Sequence, residues 1–185
     1  MKWGVLLELA KQCGAKRIIQ IAYYRPSKWG SLEIDGRNIS LPSEVVEHFR
    51  NLRNIKTLTT HPRIDVIAEP FENRDHYMRD ILAAIKACGR SRCIVFLDPD
   101  TGLAPRNPRL EHVLPSELSL IWGKMRQGDV LVFYQHQTNK NGKPWIEPKR
   151  VEFECALGLP RGRSKIAKGP TIARDVVFFF CKKAA

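Results

Sequence analysis

Two runs in this chain, Cys93-Ile-Val-Phe-Leu97 and Val130-Leu-Val-Phe-Tyr134, are apolar at every position. A strand with one wet face alternates polar and apolar residues. A strand with no polar position needs cover on both faces, which a parallel sheet layered between helices provides. Between the two runs, Pro115-Ser116-Glu117 opens a helix that turns Leu118, Ile121, Trp122 and Met125 inward. Strand, helix, strand is a βαβ unit with a right-handed crossover. The expected class is therefore α/β, with three layers around a mostly parallel sheet.

The rest of the chain alternates in the same way. Lys2 to Cys13 carries Val5, Leu6, Leu9, Ala10 and Cys13 on one helical face, and Gly14 stops it. Arg17 to Tyr24 reads as a strand ended by Pro26, and Ser31 to Leu41 as a hairpin turning at Asp35-Gly36. Pro42-Ser43-Glu44 starts a helix expected to bury Val45, Phe49 and Leu52. Arg63 to Glu69 is a strand stopped by Pro70. Arg74 to Cys88 is an amphipathic helix through Met78, Ile81, Leu82 and Ile85. A strand from Arg92 to Leu97 follows, and after Val130–Tyr134 come a helix from Lys149 to Leu157 and a hairpin, Ser164 to Lys182, ending in Val176–Phe180. There is no internal repeat, and 185 residues suit one domain spanning residues 1–185.

Hydrophobic residues make up 43% and charged residues 27%, which fits a folded globular chain rather than a disordered one. No apolar run is long enough to span a bilayer, and the first residues lack a signal-peptide pattern, so the expectation is a cytoplasmic protein with no membrane partner. The odd count of five cysteines, with no C-x-x-C spacing, reads as reduced buried thiols. Net charge is +12, which points to an anionic partner, foremost nucleic acid, over the alternative of a merely basic surface. The cations thicken from Lys140 to Arg150 and from Arg161 to Lys168. Arg161, Arg163 and Lys165 sit in a glycine-containing loop suited to a phosphate backbone. Trp145 stands among lysines, where it could stack a base or anchor the loop.

Ligands of open parallel sheets bind outside the carboxyl ends of the strands. Those ends read Tyr23-Tyr24-Arg25, Glu69-Pro70, Asp98-Pro99-Asp100-Thr101-Gly102 and Gln135-His136-Gln137. Two carboxylates two residues apart, with a histidine on the neighbouring strand, exceed what a turn requires, although Asp-Pro and Thr-Gly are also good turn formers. Asp98, Asp100 and His136 are the candidate catalytic residues, with Pro99, Thr101, Gly102 and Gln135 lining the substrate.

The segment Phe96-Leu-Asp-Pro-Asp-Thr-Gly-Leu103 resembles the F-F-D-P-D-N-G-L element of an uncharacterised prokaryotic family. That family also carries a K-Y-G or K-W-G element, matched by Lys2-Trp3-Gly4, and a Y-Q-H strand end, matched by Tyr134-Gln135-His136. More distantly, the layout resembles Rossmann-like S-adenosylmethionine-dependent methyltransferases. In those that methylate nucleic-acid amines, a strand ends in an Asp/Asn-Pro-Pro-aromatic turn that accepts the hydrogens of the target amine. The resemblance gives Asp98-Pro99 that positioning role. It also gives Tyr23, Tyr24 and Glu69 the neighbourhood of the cofactor. The chain departs from the pattern at Asp100, lacks a glycine after its first strand until Gly30, and is one βα unit short.

Two other classes fit the same residues. Glu69, Asp98, Asp100 and His136 are hard ligands for Mg²⁺ or Mn²⁺ in a metal-dependent nuclease or phosphoesterase. The strand followed by D-x-D also resembles haloacid-dehalogenase-like phosphatases, whose motif instead places glycine before threonine and lies near the N-terminus. The third class is a non-catalytic module that binds nucleic acid or a partner enzyme.

Overall fold

The structure is a computed structural model that describes residues 2–25, 30–137, 139, 142–169 and 171–184, without the side chains of residues 48 and 49. Pro26, Lys140 and the side chain of Phe49 therefore lie outside the described residues. In chain order the elements are α1 (Lys2–Cys13), β1 (Arg17–Ile21), β2 (Ser31–Ile34), β3 (Arg37–Ser40), α2 (Ser43–Arg50), a 3-10 turn (Leu52–Thr57) and β4 (Arg63–Ile67). They continue with α3 (Arg74–Lys86), β5 (Cys93–Leu97), β6 (Gly102–Leu103), β7 (His112–Val113), α4 (Pro115–Lys124), β8 (Val130–His136), α5 (Ile146–Ala156), β9 (Lys165–Gly169) and β10 (Ala173–Lys182).

Six strands form one sheet in the order β4-β1-β5-β8-β10-β9. β4, β1, β5 and β8 run parallel, and β10 lies antiparallel between β8 and β9. The all-apolar strands are neighbours, with Leu97 level with Phe133. Their alternate residues feed two cores. On one face Val95, Leu97, Leu131 and Phe133 pack with Tyr77, Ile81 and Ile85 of α3, Leu118 and Ile121 of α4, and Phe153 of α5. On the other, Ile94, Phe96, Val130 and Val132 pack with Leu6, Leu9 and Ala10 of α1. Helices on both faces make this a three-layer, Rossmann-like α/β fold with an antiparallel C-terminal hairpin.

Several elements differ from expectation, each for a local reason. β1 leaves the ladder at Ile21 because Tyr23 turns into the left-handed region, with φ 47°. α5 begins at Ile146 rather than Lys149, because Pro148 falls in the first turn, where its missing N–H costs nothing. α2 does not bury Val45, which is 38% exposed, and Leu52 falls beyond the helix in the 3-10 turn. The β2–β3 hairpin, exposed at every position, is a separate two-stranded sheet. All five cysteines are free, but Cys155 is exposed and Cys13 only half-buried. Among the described residues no helix is long and apolar enough to cross a membrane.

Candidate functional site

The chain runs from β1 outward to β4, then back across β1 to β5. The strand order reverses between β1 and β5, and a crevice opens there at the carboxyl ends. Asp98 follows β5 directly at this point. Its backbone N–H donates to the carbonyl of Ile21 at 2.9 Å, which ties the turn to the end of β1. Its Oδ1 accepts from Lys2 Nζ at 2.6 Å, and its Oδ2 accepts from Gln20 Nε2 at 3.0 Å. The Lys2 ammonium also stands 4.1 Å from the centroid of the Tyr134 ring, a cation–π contact. The edge of His136 meets that ring at 4.8 Å between centroids.

Lys2, Gln20, Asp98, Tyr134 and His136 thus form one cluster drawn from α1, β1, β5 and β8. The opening Lys-Trp-Gly and the Asp-Pro-Asp-Thr-Gly turn, 96 residues apart, meet through the Lys2–Asp98 pair. Burial lowers the pKa of His136, and the nearby charge of Lys2 lowers it further against the opposing carboxylates Asp175, Asp98 and Asp100. Its imidazole is therefore neutral at pH 7. Burial raises the Tyr134 hydroxyl to about 12, helped by Asp98 and Asp175, so it keeps its proton.

Asp100 pairs outside this cluster. Its side chain is 56% exposed and pairs with Arg25, which also reaches Glu111 at 3.5 Å. Arg25 follows β1 and Asp100 follows β5, so this pair crosses the crevice. Glu69 is likewise held, by Arg53 at 2.7 Å.

Other residues of the turn hold the backbone. Gln135 is fully buried, and its Nε2 donates to the carbonyls of Thr101 and His136 while its Oε1 accepts from the Leu103 N–H. Gly102 has φ 121°, and a Cβ there would collide with the Gln135 side chain. Thr101 Oγ1 donates to the Glu111 carbonyl at 2.7 Å, and Pro99 is buried. The turn is thereby clamped to β8. Beside it lies a cavity of about 480 Å³ lined by Thr101, Leu103, Pro105, His112, His136, Gln137 and Lys149. Sequence reasoning gives no sign of His112, which the β6–β7 bridge brings to this cavity.

Tyr23 packs into the core with Phe71 and Tyr77 and is 2% exposed. Tyr24 is half-buried, and its carbonyl accepts from the Phe71 N–H at 2.6 Å. Trp145 is buried at the start of α5 against the same core. Arg161, Arg163 and Lys165 fall elsewhere: Lys165 begins β9, level with Phe180 and hence with Val132 of β8. That is four residues back from His136, about 13 Å along the strand, toward the opposite end of the sheet.

No family model matches the sequence, and no curated protein matches it. Among solved structures, the chain is similar to a DUF574 family protein from Streptomyces avermitilis MA-4680, with a TM-score of 0.44 and 9% identity. The match covers 95% of this chain and 78% of that one.

An adenosyl cofactor at such a crevice needs close backbone approach after β1 and a free carboxylate for its ribose. Tyr23, Tyr24 and Glu69 do not meet these needs. Tyr23 fills the first turn, Arg53 holds Glu69, and Arg25 bridges the crevice to Asp100 and Glu111. A divalent metal fits no better. Lys2 neutralises Asp98 and Arg25 neutralises Asp100. Among the described residues no three His, Cys, Asp or Glu side chains are grouped to hold an ion.

Proposed function

We propose that this is a nucleic-acid-acting protein of methyltransferase-like fold that recognises an amine-bearing base at Asp98. One observation carries the reading: the Lys2 ammonium rests between the Asp98 carboxylate and the face of Tyr134. A carboxylate that accepts hydrogens and a ring that offers its face are the two contacts a flipped adenine or cytosine asks for. Lys2 stands in for the exocyclic amine. It is 37% exposed, so leaving the site costs it little. The net charge of +12 supports a polyanion as the molecule that delivers the base.

The test is fluorescence anisotropy with labelled single strands of uniform base. Adenine and cytosine strands should bind about tenfold more tightly than thymine strands, as one good carboxylate–amine contact allows. Asp98→Ala should remove that preference without weakening thymine binding, and Lys2→Met should enlarge it by removing the competitor. Equal binding of all strands would sink base recognition at Asp98. A thermal-shift arm with S-adenosylmethionine tests for group transfer, since a cofactor at a hundredfold excess over its Kd stabilises the native state by about 2.7 kcal/mol.

A further inference from the structure

On the α1 face, at the end of the sheet remote from Asp98, a groove runs between α1 and the C-terminal hairpin. Leu9, Gln12 and Cys13 of α1 form one wall, Val130, Phe180 and Cys181 the floor, and Arg163, Lys165 and Lys182 the other side. The cavity holds about 350 Å³, room for one nucleotide unit. No carboxylate lines it among the described residues. Glu8, beside the wall, already accepts from Gln12 Nε2 at 2.7 Å. Arg163, Lys165 and Lys182 are exposed and make no ion pair among the described residues.

The strands place two of these cations. Lys165, the first residue of β9, pairs across the ladder with Phe180, and Lys182 lies two residues further along β10. Alternate residues of a strand repeat at about 6.6 Å on the same face, so Lys182 stands about one phosphate spacing beyond the Lys165–Phe180 pair. The loop that carries Arg163 is anchored from below. Glu154 is 1% exposed, and it accepts from the N–H of Gly162 at 3.0 Å, the N–H of Ser164 at 2.7 Å and the Ser164 hydroxyl at 2.6 Å. Arg150 donates to the Ser164 carbonyl at 2.6 Å and stands 3.4 Å from Glu154. The cations are thus presented on a rigid base, without a partner of their own.

We infer that this groove is a phosphodiester track for single-stranded nucleic acid. Three unpaired cations supply charge for phosphates, and the half-buried Phe180 ring between them supplies an apolar surface for a base. Single-strand sites combine those two features. An acidic peptide would use the cations but not the ring. The inference rests on the nucleic-acid reading above but assigns a different surface, so the two can fail separately.

The experiment titrates a fluorescein-labelled thymidine dodecamer at several salt concentrations against the wild-type chain and the triple variant Arg163→Ala, Lys165→Ala, Lys182→Ala. Each phosphate contact on a single strand contributes about 0.7 to the slope of log K against log salt. The triple variant should lose about 2 from that slope and bind at least tenfold more weakly, with an unchanged circular dichroism spectrum. Arg79→Ala, which removes an exposed cation of α3 outside the groove, should leave binding of this strand intact. Wild-type slope and affinity in the triple variant would overturn the groove while leaving the Asp98 reading standing. Tighter binding of a duplex of equal length, or displacement of the strand by poly-glutamate at equal charge, would also overturn it. Absence of wild-type binding to any strand in low salt would remove both proposals.

Discussion

The carboxyl end of the parallel sheet and the α1-face groove toward its other end handle charge in opposite ways. At the carboxyl end, Lys2 is matched to Asp98, Arg25 to Asp100 and Glu111, and Arg53 to Glu69. At the other end, on the α1 face, Arg163, Lys165 and Lys182 project from the hairpin with no carboxylate partner among the described residues. A matched pair contributes order and shape, and it must be opened before a ligand can use it. An unmatched cation leaves its charge available and adds little to the fold. The same net charge of +12 therefore says nothing uniform about this molecule. Attraction for a polyanion is concentrated where the charges are unspent.

If this contrast holds, substitutions should sort by end. The largest effect is expected not at either surface but at the anchor beneath the groove. Glu154→Ala leaves Arg150 and the Ser164 and Gly162 donors without their acceptor, and should cost about 3 kcal/mol in urea unfolding, as for a broken buried pair. Asp98→Ala strands the Gln20 amide, which is 7% exposed, and should cost about 1–2 kcal/mol. The Lys2 half of that loss is small, because the lysine is partly in water. In the groove, Arg163→Ala, Lys165→Ala and Lys182→Ala should each change stability by no more than about 0.5 kcal/mol. Groove losses equal to the Asp98 loss would mean that those cations are spent after all.

Acid titration separates the ends again. Burial pushes the Glu154 carboxyl up, but the Ser164 and Gly162 hydrogen bonds and the Arg150 charge outweigh it and hold the pKa below the usual value. The unfolded chain therefore takes up this proton at higher pH than the folded one. The contribution of Glu154 is complete above about pH 5 and is lost as pH falls through its depressed folded pKa. In Glu154→Ala, unfolding curves between pH 5 and pH 3 should flatten relative to wild type. The smallest effect is electrostatic only. Lys2→Met should move the His136 pKa upward by NMR titration, because it removes a cation that disfavours the imidazolium. A downward move would place the lysine charge elsewhere.

The sheet was readable because its rule is local. Cys93–Leu97 and Val130–Tyr134 carry no polar residue, and such strands have few places to go. The Asp98 turn was readable for the same reason, since it follows such a strand. Its partners were not. In the sequence Lys2 stands out only within the Lys-Trp-Gly motif, and Gln20 only as one residue of the Arg17–Tyr24 strand. Gln20 was the overlooked signal, because a polar side chain that deep needs a partner at the strand end.

The position of Arg161, Arg163 and Lys165 was hidden for a topological reason. The hairpin Ser164–Lys182 reads with Val176–Phe180 joining the sheet antiparallel, as it does, but the sequence does not say which strand it joins. With β10 inserted next to β8, β9 runs parallel to the inner strands, and its basic start lies far from Asp98. Had β9 itself joined β8 antiparallel, the same loop would stand beside the aspartate.

α1 belongs to both ends. Lys2, at its first turn, grips Asp98, while Leu9, Gln12 and Cys13, in its second half, wall the groove. Its 12 residues make a rod about 18 Å long. One rigid element therefore borders both surfaces. If a strand in the groove changes the affinity of Asp98 for an amine through this rod, thermodynamic linkage requires an amine at Asp98 to change the affinity of the groove by the same factor.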